Sequence, residues 1–537
     1  MGKVLPSDMR RSTILSAHRL CFHRTVDHWL AFLWDHRGKE MFVVDLNRDN
    51  FEYDVHSIVQ AFYPGEQIKV LTPGTGEEKR RQLEGEVRIR IWLQTDGARL
   101  VLGEQEFYWE YAAPQSVPTQ EPGAGMDATD IQADYKYGFK CFLYQTLCQT
   151  TGRRLPWGNL TGIRPTKIAM GLLEQGKSDQ EILAQYQGKY YVSQAKAQLS
   201  LDIAHREQWL LRDIHHENGY SLYIGIPFCP STCLYCSFTS FPIGGYRKLV
   251  DTYVDCLVKE MEAVAILYAR RILDTVYIGG GTPTTLEPSQ LERLLGRLKE
   301  LFDFSRVREF TVEAGRADSI TEEKLAVLRR FGVTRISVNP QTMKQETLDF
   351  IGRKASVEQV VQAFGLAREQ GFDNINMDLI LGLPGETKAD VQYTIDRVVE
   401  LAPDSLTVHS LAIKRASKLN LWIQENGVDM LRNTDATMAV AARGASKLQM
   451  APYYLYRQKN MSGNFENVGY AREGKYGLYN ILIMEEVQTI VACGAGSVSK
   501  RVYLDGLIKR SENVKDVSQY IERIGEMIER KRVLLED

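Results

Sequence analysis

Between Ser221 and about Ile413 short apolar runs alternate with amphipathic stretches, and this alternation limits the chain to few folds. Candidate strands fall at 221–227, 274–279, 308–314, 333–338, 374–380 and 404–412, with helical spacing between them, as at 249–269 and 288–301. Strand followed by helix, repeated, predicts a parallel sheet with crossover helices. Six such units give an α/β fold, and in α/β barrels the chemistry belongs at the C-terminal ends of the strands.

The first strand runs into that chemistry. Ser221-Leu-Tyr-Ile-Gly-Ile-Pro227 has the character of a buried strand, Pro227 ends it, and Cys229-Pro-Ser-Thr-Cys233-Leu-Tyr-Cys236 follows. Three thiols within eight residues can wrap one corner of an inorganic cluster. A closed zinc site would need a fourth ligand, which the loop lacks, while a zinc knuckle, a structural disulfide and chance clustering stay open as alternatives. The second strand ends in Ile278-Gly279-Gly280-Gly281-Thr282-Pro283. Consecutive glycines without a Lys make neither a phosphate loop nor a dinucleotide fingerprint, but they let backbone approach a ligand closely.

Taken together, the two motifs resemble the radical S-adenosylmethionine (SAM) enzymes, and specifically the oxygen-independent coproporphyrinogen III oxidase family. The resemblance implies that the six βα units form an α/β partial (β/α)6 TIM-like barrel, and it implies a [4Fe–4S] cluster on Cys229, Cys233 and Cys236, with SAM on the remaining iron. Tyr223 matches the aromatic residue beside cluster and SAM, and Tyr235 the one near the adenine. Gly280, Gly281 and Thr282 match the backbone that meets the methionine moiety, and Glu313 the carboxylate that holds SAM. Gln341, Arg353 and Asp378 occupy the next three family positions. Tyr223, Glu313 and Arg353 are the expected catalytic set.

The implied reaction is radical decarboxylation of coproporphyrinogen III to protoporphyrinogen IX, with a flavodoxin- or ferredoxin-type electron donor. Phe238 stands where the decarboxylating members carry a further Cys, which resembles the haem chaperones of the same branch. Those chaperones place a His before an Asn in the C-terminal region, where this chain has Tyr479-Asn480. Tyr479 and Cys493 are the remaining candidates for haem ligation. The long N-terminal part and Val408-His-Ser-Leu-Ala-Ile-Lys-Arg415 resemble a third group, the HemZ-type coproporphyrinogen dehydrogenases. There His409 is a candidate to face substrate, and Lys414 and Arg415 are candidate propionate anchors.

Composition narrows the context. Across 537 residues, 68 acidic side chains nearly balance 66 basic ones, so no polybasic field for nucleic acid stands out. No apolar stretch is long enough for a membrane span, and the start lacks the apolar core of a secretory signal, which predicts a cytoplasmic protein. Apart from the cluster motif the cysteines are scattered in apolar contexts, which predicts reduced thiols.

Around the barrel, residues 1–111 read as an α+β domain, with strands at 41–45 and 86–93 and with Arg88 and Arg90 on the wet face of the second. His18, His23, His28, His36 and His56 lie there in a spacing that fits no compact ligand set. Residues 112–130 read as a linker, and 131–215 as a helical connector interrupted by an irregular stretch, 155–167. With Arg153, Arg154 and Arg164 that stretch is either a carboxylate site or an ordered connector. The barrel domain is set at 216–415, and 416–537 is expected to form an α/β extension covering the substrate, with a tyrosine-rich segment, a Gly494-Ala-Gly496-Ser497 turn that matches the family's closure over SAM, and a helical tail.

Overall fold

The computed structural model describes residues 41–63, 66–112, 128–162, 164–238, 240–414, 417–426, 430–458 and 461–536. Residues 113–127 of the expected linker, four of the five N-terminal histidines and Arg415 lie outside them. The chain divides into two compact units, Met1–Arg154 and Leu155–Asp537.

In the first unit, β1 (Phe42–Leu46) lies between β2 (Ile68–Leu71) and β3 (Val87–Gln94), parallel to both. Strands β4 (Gly97–Leu102) and β5 (Gln105–Glu110) then continue antiparallel. The period-two pattern of β3 buries Ile89, Ile91 and Leu93 and exposes Arg90. Helices α1 (Glu52–Phe62) and α2 (Ala128–Thr151) pack on this sheet, with Phe51 set edge-on to Phe139 at 5.4 Å. The first helix expected in the connector therefore belongs to this unit.

The second unit opens with three helices, α3 (Thr166–Glu174), α4 (Asp179–Tyr190) and α5 (Gln194–Leu211). The single helical run expected over 177–211 breaks because Tyr191 adopts a left-handed conformation at φ 56° and Ser193 caps the next helix, accepting from the Lys196 amide.

Six parallel strands then appear where the alternation predicts them: β6 (Gly219–Ile226), β7 (Ile272–Gly280), β8 (Glu309–Gly315), β9 (Arg335–Val338), β10 (Ile375–Leu381) and β11 (Ser405–Ser410). Helices such as α6 (Val250–Leu267) and α7 (Pro288–Leu301) connect them. Their apolar residues, for instance Leu222, Ile224, Val276, Ile278, Leu294 and Leu298, join one continuous core.

The rest of the chain extends the same sheet at both edges. Strands β12 (Ala451–Tyr456) and β13 (Asn467–Ala471) add antiparallel beside β11. On the other side β14 (Thr489–Cys493) pairs parallel with β6, followed by the antiparallel β15 (Val498–Val502) and β16 (Ile508–Glu512). The order is linear, β12-β13-β11-β10-β9-β8-β7-β6-β14-β15-β16, so this is an open partial barrel. The C-terminal tail helix expected as one piece starts at Val517 and is interrupted at Arg523. Among the described residues no helix is long and apolar enough to cross a membrane.

Candidate active site

The thiol loop follows directly from how β6 ends. Pro227 has no amide to continue the ladder, and its carbonyl instead accepts from the Phe241 amide at 2.8 Å, closing residues 228–240 into a loop over the strand end. The loop is tied down on its other side, where the Leu234 amide donates to the Ile351 carbonyl at 2.9 Å and the Leu419 amide to the Leu234 carbonyl at 2.9 Å.

Each thiol has a different polar neighbour. Cys229 Sγ lies 3.5 Å from Thr282 Oγ1, and Cys236 Sγ lies 3.7 Å from Ser240 Oγ. Cys233, the most buried of the three, receives Arg316 Nη1 at 3.8 Å. Burial pushes the Cys229 thiol up, Thr282 opposes this, and Cys236 and Cys233 are near enough to add to the rise. All three are free thiols, so the disulfide alternative falls. No three His, Cys, Asp or Glu side chains among the described residues are grouped to hold one metal ion. Three thiols on one loop, with a hydroxyl or guanidinium neighbour at each and no fourth ligand in the loop, are a donor set that suits three irons of a cluster.

The glycine run is needed for backbone against backbone first. A Cβ on Gly281 would stand 2.5 Å from the Phe228 carbonyl oxygen, and Gly280 holds φ 111° beside Ile226 and Tyr223 Oη. The Gly281 and Thr282 amides donate to the Ile226 and Phe228 carbonyls at 2.8 and 2.7 Å. Residue for residue, the absence of side chains lets β7 end flush against the start of the thiol loop.

The carboxylates come from the next strand ends, and the guanidinium from the turn after the short helix Gln345–Phe350. Glu313 on β8 accepts from Tyr277 Oη at 2.5 Å, and burial, against that hydrogen bond, pushes its carboxyl up to about 7. Asp378 on β10 accepts from Asn376 Nδ2 at 2.7 Å and faces His409 Nε2 at 3.9 Å. Burial alone would raise its carboxyl, but His409, Asn376 and Thr407 together hold it below the ordinary range. Arg353 donates to the Asn339 carbonyl and, at 3.1 Å, to Tyr235 Oη.

Gln341 is the strained member of the set. Its φ is 70°, its amide donates to the Asp378 carbonyl at 2.9 Å, and its own carbonyl receives the Ile380 amide at 2.9 Å. The side chain is buried with Oε1 unpartnered, as is Asn339 Oδ1 nearby. A positive φ in a residue with a Cβ, coupled to an orphaned buried acceptor, carries a cost that a ligand at this edge could offset.

Two residues at this edge, Tyr277 and Arg316, escaped the sequence reading. Tyr223, Tyr277 and Tyr479 form one stack, with Tyr277 to Tyr479 at 4.4 Å and Tyr223 to each of the others at 6.2 Å, all within 22° of parallel. Only its place two residues before Gly279 could have singled out Tyr277, since alternate strand residues share a face. Arg316 lies three residues beyond Glu313, with no motif around it.

The stack also removes a candidate: Tyr479 is buried against Tyr277, and Cys493 is fully buried in β14, so neither presents a haem ligand. Of the other tyrosines in that segment, Tyr453, Tyr454 and Tyr470 are core residues, while the half-buried Tyr456 places Oη 3.5 Å from His409 Nδ1. The Arg-rich stretch is internal bracing. Arg164 pairs with Glu486 at 2.9 Å and donates to the Met484 carbonyl, and Arg153 binds the Phe62 carbonyl.

The Gly494–Ser497 turn reaches this edge from the C-terminal strands. Ala495, Gly496, Ser497 and Lys515 line a cavity of about 340 Å³ with Tyr223, Gly280 and Phe238. Phe238 is 75% exposed at this cavity.

Residues 223–398 match the Radical SAM superfamily. The chain is 40% identical over 401 residues to the oxygen-independent coproporphyrinogen-III oxidase-like protein HemZ of Bacillus subtilis, spanning 74% of this chain and 80% of that protein. It is 31% identical over 316 residues to the haem chaperone HemW of the same organism, spanning 57% of this chain and 76% of the relative. The solved coproporphyrinogen III oxidase HemN of Escherichia coli aligns with 60% of this chain and 72% of its own, at 24% identity and a TM-score of 0.47. Superfamily membership brings with it the [4Fe–4S] cluster and SAM as cofactors. With an open parallel barrel, its thiol loop at the C-terminal edge, and a relative of this similarity matched over most of its length, the chain belongs to the radical SAM oxygen-independent coproporphyrinogen III oxidase-like family, in the group of HemZ.

Proposed function

We propose that the protein catalyses oxygen-independent oxidative decarboxylation of coproporphyrinogen III to protoporphyrinogen IX. The observation that carries the reading is the gathering, at one sheet edge, of three thiols, a glycine run, a half-buried carboxylate and a half-buried guanidinium, in a chain that shares 40% of its residues with HemZ over 401 positions. When bound and reduced by an external flavodoxin- or ferredoxin-type donor, the cluster and SAM supply a 5′-deoxyadenosyl radical able to remove a propionate β-hydrogen.

The chain's own residues do the holding. Cys229, Cys233 and Cys236 are assigned to three irons. Tyr223 and Tyr235 give flat apolar surface beside SAM, and the backbone at Gly280, Gly281 and Thr282 meets its methionine end. Arg353 is suited to the SAM carboxylate, while Glu313, Gln341 and Asp378 are suited to its cationic and hydroxyl groups. The Tyr277 hydroxyl fixes Glu313, and the stack of three tyrosines keeps water from that side.

His409 and Lys414 lie at and beyond the C-terminal end of β11, which suits them to substrate propionates. Arg415 is the next residue in sequence. Loss of carbon dioxide from the substrate, with one electron passing to an external one-electron acceptor, would then leave a vinyl group at each of two propionates.

Phe238 favours one further reading, a haem chaperone of the same family, because the extra thiol of the decarboxylating members is absent here. Anaerobic incubation of the reconstituted protein with SAM, dithionite and coproporphyrinogen III, followed by mass spectrometry, separates the two. Loss of two carboxyl groups coupled to 5′-deoxyadenosine is expected. Cleavage of SAM with the porphyrinogen intact would overturn the substrate assignment and leave the barrel chemistry standing.

A further inference from the structure

Arg316 is a buried guanidinium, 4% exposed, at the point where β8 gives way to a loop through Gly315. One edge of its fork holds Asp318, with Nε to Oδ1 at 2.9 Å and Nη2 to Oδ2 at 2.6 Å. The other edge holds the thiol loop, with Nη1 donating to Ser231 Oγ at 2.8 Å, to the Ser231 carbonyl at 3.1 Å and towards Cys233 Sγ at 3.8 Å. The other two thiols have hydroxyls as their hydrogen-bonding neighbours, Thr282 and Ser240; the Arg316 charge also reaches Cys229, and Arg353 is a second cation beside Cys233.

A buried ion pair contributes little that packed apolar side chains would not, so its retention calls for another reason. Here the pair is polarised. The carboxylate lies on the far side of the guanidinium, and the N–H groups facing the loop point at the chain's middle thiol. Hydrogen bonds and positive charge beside a ligating sulfur favour the more negative, reduced state of a cluster, in a medium where charges are weakly screened.

Resting on the assignment of Cys229, Cys233 and Cys236 to the cluster, we infer that Arg316 is a positioning residue that sets the cluster's reduction potential through Cys233, with Asp318 as the counter-charge that moderates it. Arg316 raises the potential and Asp318 lowers it. The two residues therefore act on the cluster with opposite sign although they share one ion pair.

That opposition is the test. Wild-type protein, Arg316→Met and Asp318→Asn are reconstituted anaerobically, iron and sulfide are counted per chain, and the midpoint potential is read by redox titration monitored by electron paramagnetic resonance. The expected result is a potential more negative than wild type for Arg316→Met and more positive for Asp318→Asn, at equal iron content. A purely structural role would shift both in one direction or neither, and either pattern overturns the inference. Should Arg316→Met fail to take up iron, Asp318→Asn decides: a positive shift sustains the inference and no shift or a negative one ends it. Failure of the wild type itself to bind iron would overturn the thiol assignment, and the inference with it, which is a different result from a cluster of unchanged potential.

Discussion

Two buried polar groups of residues in the second unit are built on opposite plans. Beneath the Gly494 turn, the fully buried Glu260 carboxylate pairs with Lys531 and accepts from Asn513 Nδ2 at 2.7 Å, Tyr520 Oη at 2.5 Å and the Gly494 amide at 2.7 Å. Lys531 also donates to Asn513 Oδ1 at 2.8 Å. Every side chain there has its partners. At the C-terminal edge of β8 to β10 the opposite holds, for Ser337 Oγ, Asn339 Oδ1, Gln341 Oε1 and Arg353 Nε are buried without one, and Gln341 sits at φ 70°. A satisfied network secures structure, whereas unsatisfied groups on strained backbone carry a cost that a ligand can remove. The first group fastens the tail helix to the turn, and the second is the edge we propose to receive SAM.

Breaking the satisfied group should have the largest effect. Lys531→Met leaves the Glu260 charge buried and unpaired, which costs about 3–5 kcal/mol. Denaturant unfolding followed by tryptophan fluorescence checks this, and a loss below about 1 kcal/mol would mean the clamp is ordinary packing.

At the unsatisfied edge the expected losses are in binding. Tyr277→Phe removes the hydroxyl that fixes Glu313 and should weaken SAM binding by about tenfold, the weight of one hydrogen bond to a charged group, measured by calorimetry on the reconstituted protein.

Glu313 gives a pH dependence whose sign follows from its raised carboxyl. Its folded value, about 7, lies above the ordinary 4.5, so its contribution to stability is full in acid and is lost as pH rises through 7. The carboxylate able to meet the SAM cation forms over that same interval. SAM affinity should therefore rise several-fold between about pH 6 and 8, with the rise absent in Glu313→Gln.

The smallest effect sharpens the contrast most. Gln341→Gly relieves the positive φ and should stabilise the SAM-free protein by about 1 kcal/mol, while lowering SAM affinity. If it weakens both, Gln341 belongs to the scaffold rather than to the binding edge.

The parts of this molecule that were legible in the sequence are those whose meaning is local. Each of the six barrel strands is a short run rich in apolar and β-branched residues set between helical stretches, and the thiol and glycine motifs are each complete within a dozen residues. What stayed hidden depends on partners distant in the chain. Glu260 and Lys531 are 271 residues apart, and Arg316 becomes informative only when folding brings it to Cys233, 83 residues earlier. Likewise, β14 reads as a strand in a C-terminal extension, yet its place beside β6 follows from a parallel register that no local pattern encodes. Tyr479, read as a stand-in for a ligand histidine, proves to be an aromatic wall of the same edge.

The central claim is that the thiol loop and the unsatisfied sheet edge together perform reductive cleavage of SAM. The direct measurement is anaerobic release of 5′-deoxyadenosine from SAM and dithionite by reconstituted wild-type, Cys233→Ala and Phe238→Cys proteins. Release by the wild type and by Phe238→Cys, with none from Cys233→Ala, is the predicted result. Undiminished release from Cys233→Ala would contradict the account at its base, because the thiol that Arg316 faces would then have no part in the chemistry.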